Sequence, residues 1–135
     1  MKRIIIFLIL IESITTGVFS NNLPDFAVSD IIVHANKFIC IKISNNSNIN
    51  FQIKPELNET IFLILYINKI ERAEYKLKYI DKKLFTSNST IFFKTNFRAQ
   101  PNLNVKAEVN REKIIPESNY INNFMEKNLS DDVKR

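Results

Sequence analysis

Hydrophobic and polar residues alternate with a period of two from residue 25 to residue 109, and Asn, Ser, Pro and Asp interrupt the alternation at short intervals. Side chains of a β-strand point alternately to its two faces, so this pattern is typical of strands with one buried face. The same region lacks the period of a long amphipathic helix. The pattern predicts an all-β protein, a sandwich of two antiparallel sheets.

Seven runs are predicted as strands. They are 25–33, 39–44, 61–67, 75–79, 91–97 and 103–109, with a short seventh at 124–129. The apolar parity changes within the first run, so a bulge is predicted near Ser29 and Asp30. In the second run the isoleucines point inward, which leaves Cys40 on the outer face. Asn68 and Lys69 are predicted to form a tight turn after the third run.

The third run is apolar on both parities. A two-layer sandwich has one inner face per sheet, so one set of these side chains needs another cover. The loop 48–58, which contains Phe51, Ile53 and Leu57, is one candidate for that cover. Otherwise the outward set is an exposed interface patch for a partner or a second copy in a homodimer. That patch consists of Phe62, Ile64, Tyr66 and Phe92.

The first twenty residues resemble a secretory signal peptide. Lys2 and Arg3 precede the apolar run 4–11, and small residues precede a cleavage point after Ser20. The apolar run is shorter than the roughly 20 residues that a membrane span needs. We therefore expect a secreted or periplasmic product without a membrane anchor, with one domain at 21–129 and a charged, flexible tail at 130–135.

Composition narrows the classes of partner. The net charge of +5 comes without a long basic run, which favours solubility over nucleic-acid binding. Four lysines on outward parities either form a basic face for an acidic glycan or are simply solvated. They are Lys76, Lys78, Lys94 and Lys106. The one glycine, Gly17, precedes the predicted cleavage point, so asparagine is expected in the turns of the domain.

The stretch EVNREKIIPESNYINN at 108–123 lies between the sixth and seventh runs. Within this stretch Val109-Asn110, IPESN and Asn122-Asn123 resemble the CARDB family, the cell-adhesion-related domain found in bacteria. The resemblance also rests on Pro24-Asp25 and Val28, on IKISN at 41–45 and on LYINK at 65–69. The resemblance covers nearly all of the predicted domain. It implies an immunoglobulin-like sandwich with an adhesion or extracellular interaction role.

The family usually has carboxylates at the positions of Asn110 and Tyr120, and an acid or amide near the position of Lys113. This sequence departs from that pattern at all three positions. Hard cations such as Ca²⁺ need several charged oxygens, so no metal and no cofactor is predicted. The side chains of the stretch are instead expected to satisfy backbone groups in a structural corner. The corner residues are Glu117, Ser118, Asn119, Asn122 and Asn123.

Catalytic constellations are scarce. His34 and Cys40 are the only residues of their kinds, and a thiol dyad would have to join them. The sequence therefore predicts a non-catalytic binding or adhesion module for a protein or glycan partner at the bacterial envelope or outside the cell. A periplasmic structural or chaperone-like component is the alternative, with a secreted hydrolase or thiol enzyme as a weaker one.

Overall fold

A computed structural model describes residues 22–129. The predicted signal peptide with its cleavage point and the predicted charged tail lie outside the described residues. Within them the chain forms seven strands and three short 3-10 turns. The strands are β1 (Phe26–Val33), β2 (Phe38–Asn45), β3 (Ile61–Ile67), β4 (Ile70–Lys76), β5 (Ser89–Arg98), β6 (Asn104–Val109) and β7 (Phe124–Asn128), and the turns are Pro55–Leu57, Leu77–Tyr79 and Lys82–Phe85.

The strands form two antiparallel sheets, with the orders β1-β2-β5 and β4-β3-β6-β7. The prediction of an all-β, immunoglobulin-like sandwich is confirmed. Across residues 22–129, helices of the length and apolarity needed to span a bilayer are not found.

Alternating side chains from both sheets fill the core. Ile39, Ile41 and Ile43 of β2 are fully buried, and so are Val105 and Val109 of β6. Each buried side chain of this size stabilises the fold by about 1.5–3 kcal/mol. The inward parities predicted for these two runs are confirmed.

Shifts in register between paired strands explain why predictions based on alternating residues succeed in some places and fail in others. The β1–β2 register shifts between Val28 and Asp30, which confirms the predicted bulge. The fourth strand was placed wrongly, because β4 begins at Ile70, directly after the Asn68-Lys69 turn. Both turn residues have positive φ, 50° and 72°, as a two-residue hairpin turn requires. The predicted tight turn is therefore confirmed. Because β4 starts directly after this turn, it ends at Lys76, and the 3-10 turn Leu77–Tyr79 follows.

Positive φ angles occur at seven non-glycine residues within the described chain. They are Lys37, Asn68, Lys69, Asn88, Asn102, Asn110 and Lys113. Asparagine tolerates this left-handed conformation better than most residues, because its short side chain bonds locally. Four of the seven positions are asparagine, as expected for a domain without glycine, whereas positive φ at the three lysines was not predicted.

The two sheets are fastened together on both sides. On one side the Val28 backbone N–H donates to the Asn122 carbonyl (3.1 Å), and Lys127 Nζ donates to the Ile31 carbonyl (3.0 Å). On the other side the rings of Tyr75 and Phe93 lie 4.6 Å apart. The first contacts place β1 beside the segment that contains the predicted corner.

Candidate functional site

The corner begins where β6 ends. Asn110 adopts a φ of 53°, and its backbone N–H donates to the Phe62 carbonyl (2.7 Å). Three residues later the Lys113 N–H donates to the Asn110 carbonyl (2.9 Å). Asparagine at this left-handed position lets the chain leave the sheet and fold back over its end.

Glu117 is the centre of the corner. Its side chain is buried, with the residue 6% exposed. The Phe26 backbone N–H donates to Oε1 (2.7 Å), while Oε2 accepts from the amides of Asn110 (2.6 Å) and Asn123 (2.5 Å). One carboxylate thus joins β1, the end of β6 and the entry to β7.

The two amides also satisfy backbone groups that the strands leave unpaired. Asn110 donates to the Ile115 carbonyl (2.7 Å) and accepts from the Ile115 N–H (3.2 Å). Asn123 donates to the Val109 carbonyl (3.2 Å). Buried backbone groups without partners are costly, so these bonds stabilise the irregular segment.

The other predicted corner residues lie around this centre. The Ser118 N–H donates to the Pro24 carbonyl (3.0 Å), and Asn122 donates to Asp25 Oδ1 (3.0 Å). Asn119 is half-buried, and its side-chain oxygen accepts from the Ile121 N–H (2.9 Å). Sequence reasoning did not assign Asn110 to the corner, although an amide directly after a strand was a usable signal.

Burial governs the electrostatics of Glu117. The pKa of its carboxyl is raised to about 7, chiefly by desolvation; the charge of Asp25 also raises it, whereas hydrogen bonds from Asn110, Asn123 and Phe26 lower it. The Oδ1 atoms of Asn122 and Asn123 are buried without a hydrogen-bond partner in the described chain. Amide donors therefore surround the Glu117 carboxyl, which binds a proton near neutral pH because its pKa is about 7.

The donor set does not fit a metal ion. Both oxygens of Glu117 already accept N–H protons, and Asp25 accepts from Asn122. The Lys113 ammonium lies 5.0 Å from the centre of the Tyr120 ring and adds a positive charge to the corner. No group of three or more His, Cys, Asp or Glu residues in the range 22–129 is arranged to hold a metal.

The predicted interface patch does not form one exposed surface. Phe62 is 2% exposed and packs in the core against the rings of Phe26 (5.4 Å) and Phe85 (6.1 Å). Ile64 is also buried, whereas Phe92 lies on the other sheet. The β3–β4 register shifts after Ile61, so simple alternation fails for Phe62.

The loop 48–58 covers this region only in part. Its Phe51 ring packs against Phe85 at 6.2 Å, and Phe85 in turn packs against Phe62. Tyr66, the fourth predicted member, is half-buried and bonded through its hydroxyl to Arg111 (2.9 Å) and Glu108 (3.2 Å). The four predicted residues are therefore not a continuous exposed patch.

The three-stranded sheet presents a different exposed surface. Phe92 on β5 is 56% exposed, and its register neighbour on β2 is Lys42. Lys94 follows on the same face of β5, and the Arg98 guanidinium lies 5.2 Å from the centre of the Phe38 ring. We call these five residues the basic aromatic face.

The four predicted lysines do not gather on one surface. Lys76 and Lys78 both bond to Glu59, at 2.8 Å and 2.7 Å. Lys106 lies on the four-stranded sheet, 5.1 Å from the ring centres of both Tyr66 and Phe124. Of the four lysines, the basic aromatic face contains only Lys94.

Cys40 and His34 do not form an activated pair. Cys40 is 1% exposed, and burial raises the pKa of its thiol, against the opposing effect of the Lys94 charge. Within the described residues, His34 Nδ1 is buried without a hydrogen-bond partner. A thiolate nucleophile needs a lowered pKa, so this geometry gives no support to thiol chemistry.

Comparisons with known proteins bear on the fold. No protein-family model matches this sequence, and no curated protein matches it. A solved structure that resembles it is the CARDB domain of the PF1109 protein from Pyrococcus furiosus, determined in complex with di-metal ions. The two are 17% identical, and the similarity covers 78% of this chain and 90% of that chain with a TM-score of 0.51. The resemblance predicted from the corner is thus confirmed at the level of fold, and the described chain has the fold of a CARDB domain.

Proposed function

We propose that this chain is an exported, non-catalytic module of the adhesion type that binds a protein or glycan partner at the bacterial envelope or outside the cell. The observation that carries the proposal is the basic aromatic face, which lies on the outer side of the three-stranded sheet. Signal-peptide-like residues at the start of the chain support export.

The chemistry of the face suits binding. Aromatic residues and arginine are enriched at protein interfaces, and an exposed aromatic ring among cations fits an acidic partner. Phe92 is 56% exposed, so burying the rest of its surface under a partner would contribute about 1–2 kcal/mol. Lys42, Lys94 and Arg98 would add electrostatic attraction and increase the association rate.

The corner supports a role without catalysis or metal. In this chain the carboxylates of Glu117 and Asp25 accept hydrogen bonds from amide groups. We therefore do not propose that it binds di-metal ions as the solved CARDB domain does. Glu117 and its partners instead fix the end of the sandwich. We propose no cofactor.

The test compares two exposed phenylalanines on opposite sheets. Phe92→Ser removes the anchor of the basic aromatic face, and Phe124→Ser is the matched control, because Phe124 is 51% exposed on the four-stranded sheet. Crosslinking and mass spectrometry on intact cells should show partner crosslinks that Phe92→Ser loses and Phe124→Ser keeps. Both variants should retain the melting temperature of the unmodified chain within a few degrees.

Two outcomes would contradict the proposal. Loss of crosslinks in Phe124→Ser alone would move the interface to the other sheet. Retention of the protein in the periplasm on cell fractionation, with crosslinks only to envelope-assembly proteins, would favour the structural or chaperone-like component instead.

A further inference from the structure

A cavity of about 450 Å³ that is broadly open to solvent lies between the loop 48–58 and the 3-10 turn Lys82–Phe85. Its volume falls in the range of roughly 300–1,000 Å³ that small-ligand sites occupy. None of its lining residues belongs to the basic aromatic face or to the corner.

The walls of the cavity are fastened to each other. The Phe51 N–H donates to the Phe85 carbonyl (2.7 Å), and the Ser87 N–H donates to Asn50 Oδ1 (2.9 Å). The Phe51 and Phe85 rings pack at a 51° tilt. A site whose walls are held in this way loses little entropy when a ligand enters.

The lining combines aromatic and amide groups with a single charge. The half-buried Phe51 supplies apolar surface above the buried Phe85, while Asn50, Gln52 and Asn58 supply side-chain amides. Lys82 is the one ionisable side chain among the lining residues, and no carboxylate joins it. Amides carry a donor and an acceptor on adjacent atoms, as neighbouring hydroxyls of a sugar require.

We infer that this cavity binds a sugar unit that carries a carboxylate, such as a uronic acid. The sugar ring would lay its C–H surface on Phe51, its hydroxyls would bond to Gln52 and Asn58, and its carboxylate would pair with Lys82. The inference goes beyond the proposed function, because the cavity is separate from the basic aromatic face, and either proposal can fail without the other.

Isotope-labelled protein titrated with D-glucuronate, and separately with D-glucose, tests the inference by NMR chemical shifts. We expect shifts at Gln52, Asn58 and Lys82, with glucose bound about three- to five-fold more weakly, since an exposed charge pair contributes up to about 1 kcal/mol. Lys82→Gln should reduce glucuronate binding to the level of glucose. Lys83→Gln is the matched control, because Lys83 is the adjacent lysine and does not line the cavity.

Several results would overturn the inference. Equal losses in Lys82→Gln and Lys83→Gln would show attraction by general charge. Acetate that binds as tightly as glucuronate would show a simple anion site, and stronger competition by a short peptide with a free C terminus would indicate a peptide site. Phe92→Ser should leave the titration unchanged, which separates this test from that of the proposed function.

Discussion

Glu117 should make this protein less stable at neutral and alkaline pH than at mildly acidic pH. Its folded-state pKa is raised from 4.5 to about 7, chiefly by burial. A raised folded pKa means that the folded protein holds a proton that the unfolded chain releases. The stabilisation is therefore complete below pH 4.5 and is lost as the pH rises through 7.

The expected size follows from the linkage between proton binding and stability. One pKa unit corresponds to 1.36 kcal/mol, so the free energy of unfolding should fall by about 2 to 3 kcal/mol between pH 5 and pH 8. Glu59 acts in the opposite direction, because hydrogen bonds from Lys76 and Lys78 lower its pKa to about 2. Starting the series at pH 5 keeps that titration largely outside the measured range.

Urea denaturation at pH 5, 6, 7 and 8 measures the effect, with Glu117→Gln as the variant. The variant loses bonds from Phe26 or from the corner amides, so its stability should fall at every pH. The informative quantity is the slope with pH, which should largely disappear. An unmodified protein whose stability stays flat or rises from pH 5 to pH 8 would refute the reasoning, since the three donors would then hold the carboxylate charged.

Four further outcomes are expected. N-terminal sequencing of native protein should show cleavage after Ser20, and an intact Met1 would contradict export by this route. Calorimetric titration with calcium should show no binding below millimolar concentration. Asn110→Asp should lower the free energy of unfolding by about 1–3 kcal/mol at pH 8, measured by urea denaturation, because it places a second carboxyl oxygen near the buried corner carboxylate, 2.6 Å away in the present geometry. The double change Ile64→Ser with Tyr66→Ser should lower the melting temperature by many degrees, because Ile64 is buried, and unchanged stability with lost association would restore the interface hypothesis.

The sequence predicted features that depend on local chemistry and regular alternation. The inward isoleucines of β2 follow from period two, and the bulge beside Asp30 follows from a visible change in parity. Phe62 was assigned to the wrong surface because its direction depends on a register shift against β4. Pairing between strands is a long-range property, and alternation within one strand carries no record of it.

The corner likewise has some features that the sequence predicts and others that it does not. Side-chain amides and a carboxylate after β6 were recognisable as groups that bond to backbone. The bond from Asn110 to Glu117 was not, because it depends on the left-handed turn that brings residues seven positions apart within 2.6 Å. The raised pKa of Glu117 depends in turn on burial beneath β1, which comes from the opposite end of the chain.

The contacts between β1 and the final segment also determine how the domain responds to force. Pro24, Phe26, Val28 and Ile31 bond in that order to Ser118, Glu117, Asn122 and Lys127. The residue numbers of the partners increase along β1, except that the first two partners, Ser118 and Glu117, are neighbours in reverse order. The two segments therefore run in the same direction. Tension applied between residues 24 and 129 would load these bonds in shear, so we expect several of them to bear the load at once. The arrangement is that of a shear clamp, which resists stretching better than a hairpin that opens one bond at a time.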